Sequence, residues 1–224
     1  IVLRDKDIMK INAIVHQSGE GFSSFMPKLA NALKDNPDIV IGPYDSLSED
    51  YSKVSSIKQK NKIYNKFMSF SSNSNSLIAP GTITYMINNK EVVCEAPVFY
   101  KGKLLHAFNK EKDNGEGNLA EKINCIYKSG DNSKNRFKFN GKDIALEICG
   151  DHGVQDASGC DLELILAYDN RAGFWINSMN DSFNRKAVLC DGYSSRAEAY
   201  SYDRNEGIEL IDGKKKKDFV SFEL

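Results

Sequence analysis

A strand that stops on a cysteine constrains this chain more than any other feature. In residues 141–153, Ile144, Leu146 and Ile148 alternate with Ala145 and Glu147, the period-two pattern of a β-strand with at least one buried face. The pattern ends at Cys149, and Gly150, Asp151 and Gly153 tolerate a sharp turn. A thiol between a strand end and a tight turn sits where backbone N–H groups can converge on it. Acyl transfer needs that arrangement: a nucleophile with oxyanion donors beside it. The same stretch also fits a buried structural cysteine, since free cysteine is among the most buried residue types.

Upstream, residues 9–15 alternate toward a first strand. Residues 22–34 carry Phe22, Phe25, Met26, Leu29, Ala30 and Leu33 at helical spacing, with Ser23 or Ser24 as the expected cap and Pro27 near the start. Asn36 and Pro37 end that helix. Residues 38–41 form a second strand, closed by Gly42, Pro43, Tyr44 and Asp45. Strand, helix and strand joined by short links predict an α/β layered fold.

Val54, Ile57, Ile63, Tyr64, Phe67 and Met68 fall at helix-compatible positions, and the serine- and asparagine-rich residues 69–76 read as a surface loop. After a strand at 77–79, segments 82–87, 91–93, 96–100 and 103–108 read as a meander of hairpins, with Gly102 marking one turn. Residues 114–137 read as a loop with a short regular piece around 123–127. Strands are expected at 161–168 and 186–190, a loop and short helix around Phe174 and Trp175, and a terminal hairpin joining 207–211 to 219–222 around Asp212 and Gly213.

With 224 residues, 41% hydrophobic and 27% charged, the chain is expected to form one domain over residues 1–224. A formal net charge of −1 gives no drive toward nucleic acid or anionic membranes, and the basic run at 214–217 reads as a solvated turn. No apolar run is long enough to span a bilayer. Five scattered cysteines without a CxxC pair argue against a disulfide framework or a structural zinc site, so a reducing, cytoplasmic compartment is the expectation. The chain begins at Ile1, which leaves a removed leader and secretion open.

Three anchors then line up: Pro43 and Tyr44 after the second strand, Lys110 after a hairpin strand, and Cys149. In this the chain resembles the nitrilase superfamily of carbon–nitrogen hydrolases, whose members use a Glu, Lys, Cys triad in that chain order on an αββα sandwich. Residues 38–43 look like the strand ending in proline before the family's glutamate. Residues 102–110 look like its glycine turn, strand and lysine. Residues 141–149, with Asp151 beyond, look like its nucleophile strand, and residues 159–166 like the strand that follows. The resemblance covers residues 9–192, and the C-terminal side looks shortened.

The resemblance implies a thioester mechanism. Cys149 attacks an amide or nitrile carbon, Lys110 and the Gly150 N–H stabilise the oxyanion, and a carboxylate activates water. The place of the family's glutamate is taken by Tyr44, which with a pKa of about 10 is a poor base. Asp45 would point to the opposite face of a strand, unless the turn rotates it. Glu116 matches the second glutamate that many members add and is the best surviving carboxylate.

A Cys149–His152 dyad, or a metal held by Cys149, Asp151 and His152, is a weaker reading, because one turn seldom aligns a dyad and no fourth ligand is suggested. No cofactor and no metal are expected. The expected partner is a small-molecule amide or nitrile, with no nucleic acid, no membrane, and a homodimer left open. The alternative is a protein of the same fold without turnover, acting as a binding or regulatory module.

Overall fold

The computed structural model describes residues 8–17, 19–50, 52–152, 159–168, 185–203 and 205–224. Its strands are β1 (Lys10–Ile14), β2 (Ile39–Ile41), β3 (Leu77–Ala79), β4 (Ile83–Met86), β5 (Glu91–Tyr100), β6 (Lys103–Asn109), β7 (Ile126–Tyr127) and β8 (Arg136–Phe139). They continue with β9 (Lys142–Ile148), β10 (Leu162–Ala167), β11 (Arg185–Asp191), β12 (Arg196–Asp203), β13 (Gly207–Ile211), β14 (Lys214–Lys215) and β15 (Phe219–Glu223). The helices are α1 (Phe22–Lys34), α2 (Ile57–Ser72) and α3 (Glu116–Glu121).

Two mixed sheets result. One runs β14-β15-β1-β2-β3-β5-β4, with β6 and β7 also pairing with β5; the other runs β13-β12-β11-β10-β9-β8. β1, β2 and β3 are parallel, as are β9, β10 and β11. Parallel strands are covered on both faces, which is why β2 and β10 are buried along their whole length.

The sheets pack face to face. Ile11, Ile39 and Val98 of the first meet Leu146, Leu164 and Val188 of the second in one apolar cluster. Alternation sends Ile14, Val40, Ile78 and Phe99 to the outer face of the first sheet, where Phe25 and Leu29 of α1 and Phe67 of α2 cover them. Phe67 stacks on Phe99 with ring centroids 5.3 Å apart. The α/β class and the layered arrangement expected from the sequence are what the structure shows.

Several local expectations change. The α1 cap is Gly21, because Ser24 lies inside the first turn and donates its hydroxyl to the Glu20 and Gly21 carbonyls. Helix α2 starts at a Ser56–Gln59 capping box and continues to Ser72, through half of the expected serine loop. Segments 91–93 and 96–100 are one strand, β5. The polar interruption at Glu95 does not break it, since the Tyr64 and Tyr85 hydroxyls satisfy the carboxylate.

The expected pairing of 207–211 with 219–222 does not form; the hairpin partner of β15 is β14. β13 pairs with β12 in one sheet, whereas β15 pairs with β1 in the other. Phe219 packs toward the helices and Phe222 between the sheets, so β15 needs a place covered on both faces. The segment around Phe174 and Trp175 lies outside the described residues.

Candidate active site

Lys110 follows directly on β6, and its N–H donates to the Cys94 carbonyl at 2.8 Å. The chain then turns back on Asp113, whose Oδ1 accepts the N–H groups of Gly115 and Gly117, both at 2.9 Å. That turn starts α3 and aims its first residue, Glu116, at the lysine. Lys110 Nζ lies 2.5 Å from Glu116 Oε1 in a buried ion pair, the lysine side chain only 1% exposed. The same Oε1 accepts the Tyr44 hydroxyl, and Oε2 accepts the Asn114 N–H at 2.9 Å. Neither residue is solvated at the surface.

Tyr44 arrives from the segment after β2, and its ring centroid lies 5.4 Å from Lys110 Nζ. Burial, with the Cys94 thiol and the Glu116 carboxylate nearby, holds its hydroxyl well above the usual tyrosine range. The phenol is therefore a hydrogen-bond donor to Glu116 rather than a base. Burial opposes the charge of Lys110, but Glu116, Cys94 and Cys149 more than offset it and keep the ammonium above the ordinary lysine range.

Asp45 lies beyond β2, with φ 58, so strand alternation does not apply to it. Its carboxylate accepts the Ser48 hydroxyl at 2.7 Å and its N–H donates to Thr82 Oγ1 at 2.8 Å. Burial pushes its pKa up to about 7, Ser48 opposing and Glu116 adding to the shift.

Cys149 ends β9 and opens a short 3₁₀ turn with φ 47, a left-handed conformation that costs a non-glycine residue about 1–3 kcal/mol. Its surroundings hold it there. Cys149 O accepts the His152 N–H at 3.1 Å, and Asp151 Oδ2 and Oδ1 accept the N–H groups of Glu111 and Lys112 at 2.9 and 2.7 Å. A Cβ at Gly150 would meet the Asn114 side-chain amide, which packs directly over the turn. The turn at Cys149 and the segment after Lys110 are thus fastened together. Cys149 Sγ lies 3.8 Å from the Tyr168 carbonyl, and the rings of Tyr44, Tyr168 and Tyr193 form a row, the first pair tilted with centroids 6.4 Å apart and the second edge-on at 5.4 Å.

His152 belongs to a different group. Its Nδ1 contacts Glu147 Oε2 and lies 2.8 Å from Glu163 Oε1. Burial alone would lower its pKa, but the two carboxylates reverse the sign and raise it to about 10. Its Nδ1 is therefore turned to two carboxylates, and Asp151 is engaged by backbone N–H groups; among the described residues the metal-capable group around His152 is completed by Glu147 and Glu163, not by Cys149 and Asp151. Gly153 lies outside the described residues. Glu147 and Glu163 went unread in the sequence, although each interrupts an otherwise apolar strand.

No family model matches the chain, and no curated protein does. Solved structures do. An amidase from Nesterenkonia sp. AN1, as a double mutant in complex with acrylamide, superimposes with a TM-score of 0.71 at 12% identity, covering 100% of this chain and 93% of its own. A cysteine-to-alanine mutant of that amidase, described as from the nitrilase superfamily, gives 0.72 at 11% identity over 96% of this chain and 90% of its own. A carbon–nitrogen hydrolase from Helicobacter pylori G27 gives 0.69 at 11% identity, covering 96% and 89%. The fold is that of the nitrilase superfamily.

On this nitrilase fold, Tyr44 occupies the position after Pro43 where the sequence resemblance sets a glutamate. The carboxylate that reaches Lys110 comes from α3 instead. Tyr44, Lys110 and Glu116 meet through one carboxylate oxygen, and Cys149 stands across from them on the other sheet.

Proposed function

We propose that this protein is a cysteine-dependent hydrolase of non-peptide carbon–nitrogen bonds, acting on a small-molecule amide or nitrile through a thioester. One observation carries the reading: Glu116 gathers the Lys110 ammonium and the Tyr44 hydroxyl beside a cysteine held in a left-handed turn. For an amide, Cys149 sulfur bonds to the carbonyl carbon while its proton passes to Glu116. Lys110 and the Gly150 N–H balance the oxyanion. The Glu116 proton then goes to the departing nitrogen, which leaves as ammonia. Water adds to the thioester carbon, giving one proton to Glu116; the C–S bond then breaks, the Glu116 proton passes to sulfur, and the acid and the free thiol are released.

The nitrilase-superfamily likeness supports this chemistry, and one Nesterenkonia structure carries the acetamide moiety of fluoroacetamide on its active-site cysteine. The test is ammonia release from a panel of small aliphatic amides and nitriles, with Cys149→Ala as the zero. Glu116→Gln is expected to lose about 10²–10⁴-fold, the usual worth of a positioned general base.

A second reading, a binding or regulatory module without turnover, is favoured by the crowding of Glu116. Its two oxygens already accept three donors, from Tyr44, Lys110 and Asn114. Absence of ammonia release across the panel, with ligand binding retained, is the outcome that favours it.

A further inference from the structure

Behind the nucleophile turn, Glu147 on β9, Glu163 on β10 and His152 meet in the interior, none more than 1% exposed. The two strands run parallel with Glu163 opposite Ala145 and Ile165 opposite Glu147, so both carboxylates leave the same face. His152 presents one ring nitrogen to both, touching Glu147 Oε2 and standing 2.8 Å from Glu163 Oε1. Nδ1 and one oxygen from each carboxylate all lie within 4.8 Å of one another. Nδ1 carries at most one proton, and a single N–H cannot point in line at two oxygens. The second Glu147 oxygen, Oε1, is buried and has no hydrogen-bond partner. A buried carboxylate oxygen left in that state costs free energy that a cation would recover.

We propose that Glu147, His152 and Glu163 bind one divalent transition-metal ion, for which Zn²⁺ is the fitting probe. An imidazole nitrogen with two carboxylate oxygens is a mixed donor set of the kind zinc takes, whereas calcium and magnesium favour oxygen alone. Zinc–ligand bonds of about 2.0–2.2 Å place tetrahedral donors roughly 3.3–3.6 Å apart, with a water as the fourth donor to the three protein ligands, so the oxygens must draw back from Nδ1 by about an ångström at most. The ion replaces the Nδ1 proton, which passes to solvent. Cys149 Sγ is not among the clustered donor atoms. Because the His152 N–H holds the Cys149 carbonyl at 3.1 Å, the ion ties the nucleophile turn to β9 and β10.

The experiment uses the full chain, stripped with a chelator and then titrated with Zn²⁺ against a chromophoric competitor. In parallel, Co²⁺ is added and its visible spectrum recorded. One ion per chain is expected, with cobalt d–d bands and no thiolate charge-transfer band. Glu163→Gln and Glu147→Gln should each weaken zinc binding by more than the roughly 10–100-fold that loss of an outer partner costs. Cys149→Ala should leave zinc affinity unchanged. No stoichiometric ion, a thiolate band, or an affinity unmoved in folded Glu163→Gln overturns the proposal. Should the glutamine variants fail to fold, the cobalt spectrum and stoichiometry of the unmodified chain decide it.

Discussion

Asp151 Oδ1 accepts the backbone N–H of Lys112 at 2.7 Å, joining the Cys149 turn of one sheet to the strand exit of the other. Its second oxygen takes the Glu111 N–H at 2.9 Å, so one carboxylate sets where Lys110 stands relative to Cys149. Asp151→Asn keeps one acceptor and turns a donor toward an N–H. Hydrogen bonds to charged groups are worth about 1.5–3 kcal/mol, so urea unfolding should show a loss of that size. Alkylation of Cys149 should slow in the same variant. A stability unchanged within error would mean that the turn is held by other contacts.

The Tyr44 hydroxyl is a donor to Glu116, held neutral by burial. Tyr44→Phe should therefore cost about 1.5–3 kcal/mol of stability while changing the rate of Cys149 acylation only slightly. Stopped-flow acylation with an activated ester separates the two effects. A rate loss of about 10²-fold or more would place the phenol in the proton transfer itself.

Asp45 gives a pH dependence with a definite sign. Its folded pKa is raised to about 7 from the model-peptide value of 3.8, chiefly by burial, so the native state holds the proton more tightly than the unfolded chain. The favourable contribution is fully present below the unfolded value, falls as pH rises, and is lost above the folded value, with a limiting slope of about 1.4 kcal/mol per pH unit. Asp45→Asn should remove this slope between about pH 4 and 7 and be more stable than the parent at pH 8. Parallel stability curves for the two proteins would contradict the assignment.

Much of the fold could be read because its central strands are covered on both faces and stand out as apolar runs ending in turn residues. Cys149, Lys110 and the helix over residues 22–34 fall where periodicity and the resemblance put them. Glu116 was found through the resemblance, whereas α3 was missed because a helix of 6 residues has no periodicity to show. The meeting of Glu147 with Glu163 depends on the register between β9 and β10, a long-range property that no local pattern carries. The sheet exchange of β13 and β15 was hidden for the same reason.

The central claim is that Cys149 is the nucleophile and that Lys110 and Glu116 activate it. Peptide mapping by mass spectrometry after brief exposure to acrylamide at neutral pH tests it most directly. All five cysteines are buried, but Cys94 and Cys190 are fully enclosed and burial pushes both thiols up, Cys94 to about 12. Cys149, at 8% exposure, is the most accessible of the five. The account predicts a single early adduct on Cys149 that forms much more slowly in Glu116→Gln. First labelling at Cys94, Cys125, Cys160 or Cys190, or a Cys149 rate indifferent to Glu116→Gln, would contradict it.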